Sequence, residues 1–173
     1  MSRAGREEEM QMLEAEVGAE LRKKGISIAT AESCTGGLIS HRITNVSGSS
    51  DYYKGSVIAY ANEVKEKVLH VTKAILEEKG AVSSECAMAM ANGVRTLLCS
   101  DVSIATTGIA GPTGGTQDKP VGLVYIALAT KDYVYHAKHI FHEDREGNKR
   151  EAANAALEML WTHISNGARS SER

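Results

Sequence analysis

The sequence predicts an α/β fold of three layers: helices on both faces of a mixed, mostly parallel sheet of about five strands that ends in an antiparallel hairpin. Three observations predict it. Apolar strand-like runs alternate with helical periodicity through the first two thirds of the chain, as parallel βαβ units require. Two further strand-like runs, "VGLVYIALAT" and "YVYHAKHIFH", flank Lys131-Asp132, a plausible tight turn. Aromatic residues are only 5% of the chain, so its core is built from Ala, Val, Ile, Leu and Met, which suits close packing of helices on a sheet.

The elements follow in order. Met10, Leu13, Val17 and Leu21 share a helical face that ends at Lys23-Lys24-Gly25, a cationic last turn with a glycine cap. A strand from Ile26 to about Glu32 leads into a helix from near Thr35 to Asn45. "KGSVIAYAN" reads as the second strand, with Asn62 able to cap the helix "EVKEKVLHV". A short helix, Lys73 to Lys79, stops at Gly80. Ser83 caps a long helix with Ala87, Met90, Ala91, Val94 and Leu97 on its apolar face, and "DVSIATTG" is the third strand. The last helix spans about Lys149 to Ile164. One domain covers residues 1–173, with loose tails at about 1–8 and 166–173.

A net charge of -2 gives no general grip on nucleic acid, and no apolar run approaches the roughly 18 residues of a membrane span. A cytoplasmic protein is expected, with no nucleic-acid or membrane partner. Cys34, Cys86 and Cys99 show neither disulfide nor zinc spacing, and Cys86 and Cys99 are expected to pack on a helix as small apolar groups. His136, His139 and His142 cannot share one ion, because His139 faces the other side of its strand. No metal and no cofactor are expected. Small residues on the helix surfaces suit a homo-oligomer, a dimer being favoured.

Chemistry concentrates in "TAESCTGG", Thr30 to Gly37, where an acid, three hydroxyls and a thiol precede two glycines at the end of a strand. Strand, sharp turn and helix would aim the amides of Thr35, Gly36 and Gly37 at an anion or a developing oxyanion. Neither a G-x-S-x-G elbow nor a Walker A is present. The nucleophile is open between Ser33 and Cys34, and an ordinary helix cap is the plainer alternative.

Right-handed crossovers would bring the ends of strands one, two and three to one edge of the sheet. Tyr60, Asn62, Lys65, the glycine loop from Thr107 through Gly108 and Gly111 to Gly115, Lys119 and Arg145 would then join Ser33 there. Lys65 is a candidate base if burial lowers its pKa; a solvated surface lysine is the alternative, and Tyr60 could relay the proton instead. Glu32 could hold Lys65, orient the site or face solvent. Arg145, with Arg150 and Lys119, would suit a phosphate.

"AESCTGG", "GSSDYYKGSVIAYANEVK", "GAVS", "TGIAGPTGG", "KPVGLVYIAL" and the Asp144-Arg145 pair, taken in order, resemble the CinA C-terminal domain family over about residues 10 to 165. Glu143 stands where that family commonly has Gly before the Asp-Arg pair. Many members carry a further N-terminal domain, and the stand-alone form is expected here. The resemblance implies a cofactor-free amidohydrolase that converts nicotinamide mononucleotide to the nicotinic acid mononucleotide and ammonia. Ser33 would attack the carboxamide, Lys65 or Tyr60 would take the proton, and amides around Thr35 and Gly36 would hold the oxyanion. Lys119, Arg145 and the Thr107 loop would hold the phosphate. A non-catalytic nucleotide-binding module, or a competence or damage-response interaction module, is the alternative.

Overall fold

A computed structural model describes residues 3–166. Helix α1 (Arg3–Lys24) is followed by β1 (Ile28–Glu32), α2 (Leu38–Thr44), β2 (Tyr53–Ile58), α3 (Asn62–Leu69), a π-helical turn (Ile75–Lys79), α4 (Ser84–Leu97), β3 (Val102–Gly108), β4 (Leu123–Ala129), β5 (Val134–Ile140) and α5 (Arg145–Asn166). The five strands form one sheet in the order β2-β1-β3-β4-β5. β1 pairs parallel with β2 and β3, whereas β3–β4 and β4–β5 are antiparallel. The pairings therefore divide evenly, while four of the five strands run in one direction.

The alternation of side chains along each strand sorts the core into two layers of different size. Ile28, Ile104, Val124, Ile126 and Leu128 face α1, α2 and α5, joined there by Leu21, Ile39, Leu157 and Leu160. Ala29, Ala31, Ala105, Ala127 and Ala129 face α4, which meets them with Cys86, Ala87, Met90, Ala91 and Val94. Small side chains on both surfaces let α4 approach closely enough for the Ser103 hydroxyl to donate to the Ala91 carbonyl at 2.7 Å. Gly93 permits the crossing of α4 over the end of α3, since a Cβ there would stand 2.1 Å from the Leu69 oxygen.

Several boundaries differ from the sequence expectation. α1 already includes residues 3–8, which were expected to be a tail; Met10's side chain and residues 167–173 lie outside the described part. Asn62 does not cap α3: it is the first helical residue, Ala61 occupies the cap position, and no side chain caps it. Ser83 does cap α4, its hydroxyl accepting from Cys86 N at 3.1 Å. Cys99 lies beyond α4 at a left-handed φ of 50° and is exposed, so it does not pack on the helix. α5 begins at Arg145, four residues before the Lys149 expected from the sequence. Asp144 starts it, with Oδ1 accepting from Gly147 N at 2.7 Å.

The expected convergence holds at the level of the sheet. β1, β2, β3 and β5 all end, and β4 begins, along one edge, and α3 and α5 start beside it.

Candidate active site

Consecutive residues at the end of β1 alternate between the two faces of the sheet, and this separates Glu32 from Ser33. Glu32 turns toward α2 and is fully buried. Its Oε2 accepts from Thr35 Oγ1 at 2.7 Å, Gly37 N at 2.9 Å and Ile39 N at 3.1 Å, and its Oε1 accepts from Ser40 N at 2.8 Å. A carboxylate from the preceding strand thus caps α2, satisfying amides that Gly37, at φ 98°, has no side chain to reach. Glu32 neither holds Lys65 nor lines the cavity.

Ser33 turns the other way, toward α3. The Lys65 Nζ lies 3.1 Å from Ser33 Oγ, 2.7 Å from the Ala59 carbonyl and 3.2 Å from the Tyr60 carbonyl. Lys65 is 1% exposed, and burial holds its pKa below the ordinary lysine value of 10.5. The surface-lysine alternative is thereby excluded. Three acceptors surround the nitrogen. In the neutral amine, two N–H groups donate to the carbonyls, and the remaining lone pair faces the Ser33 hydroxyl.

Cys34 is 8% exposed, and burial pushes its thiol up to about 12, with the Glu32 carboxylate adding to the rise. Of the two candidates left open by the sequence, Cys34 is therefore the weaker nucleophile, because a thiol held at that value carries almost no thiolate near neutrality.

A cavity of about 280 Å³ opens onto this pair. Of the residues expected from the sequence, it brings together Ser33, Tyr60, Asn62, Lys65, Thr107, Gly108, Gly111 and Arg145. Four others lie outside its lining. Glu32 and Thr35 are buried behind the turn, where Thr35 Oγ1 also meets Thr106 Oγ1 at 2.8 Å. Gly36, at φ 62°, shapes the turn, and its N–H is occupied by the Ser33 carbonyl at 3.2 Å. Lys119 donates from Nζ to the Lys79 carbonyl at 2.7 Å, tying the loop to the end of the π-helical turn.

The expected bed of turn amides is therefore partly in use: Gly36 N and Gly37 N already have acceptors.

Opposite Ser33, Arg145 closes the cavity. Its Nη1 donates to the Gly111 carbonyl at 2.6 Å and its Nη2 to the Tyr60 hydroxyl at 3.0 Å. Tyr60 is 62% exposed, so its ring forms an outer wall, and its hydroxyl accepts from Arg145. Arg150 faces out, paired with Glu146 at 3.3 Å.

Two contributors escaped the sequence reading. Asn148, 1% exposed, donates from Nδ2 to the Ala110 carbonyl at 3.0 Å and accepts from Glu143 N at 3.1 Å, so it locks the glycine loop to α5. Lys149 places its Nζ within 3.7 Å of the point where a Gly36 Cβ would stand. The spacing of Arg145, Asn148 and Lys149 at i, i+3 and i+4 was the available signal, once the helix is known to begin at Arg145.

Fold and site together define an α/β domain with a buried serine–lysine pair at the carboxyl edge of its parallel strands. The chain belongs to the CinA C-terminal domain family, whose model matches residues 10–164. It is 56% identical over 146 residues to a CinA-like protein of Salinibacter ruber, covering 84% of this chain and 35% of that one. A CinA-like protein of Geobacter sulfurreducens is 50% identical over 139 residues, 80% of this chain and 34% of its own. The chain thus spans about a third of the length of these relatives. Among solved structures, a CinA superfamily protein of Klebsiella pneumoniae superposes with a TM-score of 0.88 at 30% identity, covering 91% of this chain and 98% of that one. A competence/damage inducible protein of Agrobacterium tumefaciens gives 0.87 at 34%, covering 90% and 95%. No helix among the described residues is long and apolar enough to cross a membrane.

Proposed function

We propose that this domain is an amidohydrolase that cleaves the carboxamide of nicotinamide mononucleotide through a Ser33 acyl-enzyme with Lys65 as the base. The observation that carries the reading is the buried Lys65 Nζ at 3.1 Å from Ser33 Oγ, with only main-chain oxygens as its other partners. The substrate itself comes from the family resemblance, and the cavity is chemically compatible with it.

In the first half-reaction, neutral Lys65 takes the Ser33 proton as Oγ bonds to the carboxamide carbon. The carbonyl π electrons move to oxygen, and the turn amide of Thr35, left after those of Gly36 and Gly37 are engaged, would hold that charge. The resulting ammonium of Lys65 returns a proton to the amide nitrogen, the C–N bond breaks and ammonia leaves. Water then adds to the ester, giving its proton to Lys65, and the C–O bond to Ser33 breaks to release the carboxylic acid and regenerate the hydroxyl. A cationic pyridinium ring near Lys65 would favour the neutral amine further, so the substrate's charge helps to activate the base. That ring can lie against Tyr60, and Arg145 with the loop from Thr107 is the candidate seat for the phosphate.

The deciding experiment measures ammonia release from nicotinamide mononucleotide alongside a panel of other primary amides, with Ser33→Ala as control. Release from the nucleotide that disappears in Ser33→Ala is expected. Release from other amides alone would retain the hydrolase and change the substrate. Nucleotide binding without any release would instead favour a binding module, and neither binding nor release the interaction role suggested by the relatives' competence and damage names.

A further inference from the structure

The sheet end opposite Ser33 carries a second cavity, of about 380 Å³. It forms where Ile26 and Val102 precede and open the strands, the β4–β5 turn at Thr130–Tyr133 folds over, and Arg95 of α4 and His163 of α5 approach from either side. It shares no lining residue with the Ser33 cavity. β3 runs its seven residues between the two, so they stand on the order of 20 Å apart.

Two polar atoms of this lining are buried without a hydrogen-bond partner, Arg95 Nε and Ser100 Oγ. Ser100 is only 4% exposed. A buried donor left unsatisfied costs about 1–3 kcal/mol, and a charged one more, so two in one cavity call for an acceptor. The carboxylates of the lining do not supply it: Asp101 Oδ2 accepts from Ser27 N at 2.8 Å and Ser27 Oγ at 2.6 Å, and Asp132 stands exposed on the turn. Lys131, also exposed, places a positive charge at the mouth beside the negative charge of Asp132, which offsets it. The rings of Tyr133 and His163 meet edge to face with centroids 6.0 Å apart, and Tyr133, 53% exposed, offers a flat wall.

We propose that this cavity binds a small ring compound bearing an oxyanion, with its carboxylate or phosphate held by Arg95 and Ser100 and its ring lying against Tyr133. Arg95 can offer guanidinium N–H groups and Ser100 its hydroxyl to an oxygen-rich anion seated in this lining.

The test is an amide-shift titration of the whole chain with benzoate and, separately, inorganic phosphate. Saturable shifts of the Ser100, Asp101, Thr130 and Tyr133 amides are expected with at least one probe, weakened at least about 10-fold by Arg95→Gln, the loss that follows from about 1.4 kcal/mol. Saturation by benzoate alone would identify a ring carboxylate, and by phosphate alone a phosphoryl group. Failure of both probes to saturate these amides overturns the proposal, as does an Arg95→Gln protein that binds as tightly as the parent. If Arg95→Gln does not fold, Ser100→Ala decides the matter: weakened binding supports the site, and unchanged affinity overturns it.

Discussion

Lys65 Nζ sits 3.1 Å from Ser33 Oγ, and its two remaining hydrogen-bond partners are the carbonyls of Ala59 and Tyr60. The geometry fixes the direction of the lone pair. With both N–H groups of the neutral amine engaged by main-chain oxygens, the third tetrahedral position can only accept, and the Ser33 hydroxyl occupies it. Ser33→Ala and Lys65→Met should each lower kcat by at least about 10³-fold, and the double variant should be little worse than either, because paired catalytic groups act as a unit. Steady-state ammonia release checks the single and double variants together. Additive losses would mean that the two residues act independently.

The same burial sets a pH dependence. Lys65 is held below 10.5, so kcat/KM should rise with pH through the lowered pKa and level off before 10.5. Stability moves in the same direction. Between the folded and unfolded values the unfolded chain binds the extra proton, so stability increases with pH across that window, and below it the buried ammonium exerts its full penalty. Lys65→Met should therefore melt higher than the parent at neutral pH, with the gap closing as pH approaches 10.5. Melting curves across that range check the sign, and a gap that widens with pH would contradict it.

Much of this site could be read from the sequence because its logic is topological. Two crossovers bring Ser33, Tyr60 and Thr107 to one edge, and the hairpin returns the chain to Arg145; only the polarity of the strands is needed. Where the reading failed, the deciding contacts involved main-chain groups or the phase of the strand. Lys119 ends on the carbonyl of Lys79, a partner that no sequence pattern marks. Glu32 points away from Ser33 because neighbours on a strand face opposite sides, a rule that Ile28, Thr30 and Glu32 obey together; the compact "AESC" drew attention to adjacency and away from that phase. The start of α5 was hidden because Arg145–Asn148 carries no apolar stripe. Its first turn faces the glycine loop, and polar residues there bind carbonyls of that loop.

Glu32 should behave as a structural residue. Glu32→Ala removes the acceptor of three amides and one hydroxyl in a fully buried position, which should destabilise the fold by about 3 kcal/mol or more. Glu32→Gln retains one carbonyl oxygen and should lose less. Urea denaturation gives both values. Activity per folded molecule should remain near that of the parent for Glu32→Gln; a loss comparable to that of Ser33→Ala would give the carboxylate a part in the chemistry.

The three thiols should separate cleanly. Cys99 is exposed, whereas burial pushes Cys34 up to about 12 and Cys86 up to about 11. A thiol-exchange reagent at neutral pH should modify Cys99 rapidly and leave activity intact, with Cys34 and Cys86 reacting only as the protein unfolds. Mass mapping of the labelled peptides checks the order. Rapid loss of activity with label on Cys34 would show that the turn opens far more readily than its packing implies.

Arg145 and Tyr60 should prove coupled, because one guanidinium fastens both the Tyr60 hydroxyl and the Gly111 carbonyl across the cavity mouth. Arg145→Ala frees both walls and removes a candidate phosphate contact, so KM should rise by about 10-fold or more, the equivalent of one charge-assisted hydrogen bond. Tyr60→Phe removes only the hydroxyl and keeps the ring, so a rise of about 5-fold is expected, near 1 kcal/mol. In the Arg145→Ala background the hydroxyl has already lost its partner, and Tyr60→Phe should then change KM hardly at all. A double-mutant cycle on kcat/KM reads that difference as the coupling energy, about 1 kcal/mol if the hydrogen bond is maintained with substrate bound. If the Tyr60→Phe effect were the same in both backgrounds, the clamp would be confined to the free protein, and Arg145 would act on the substrate alone.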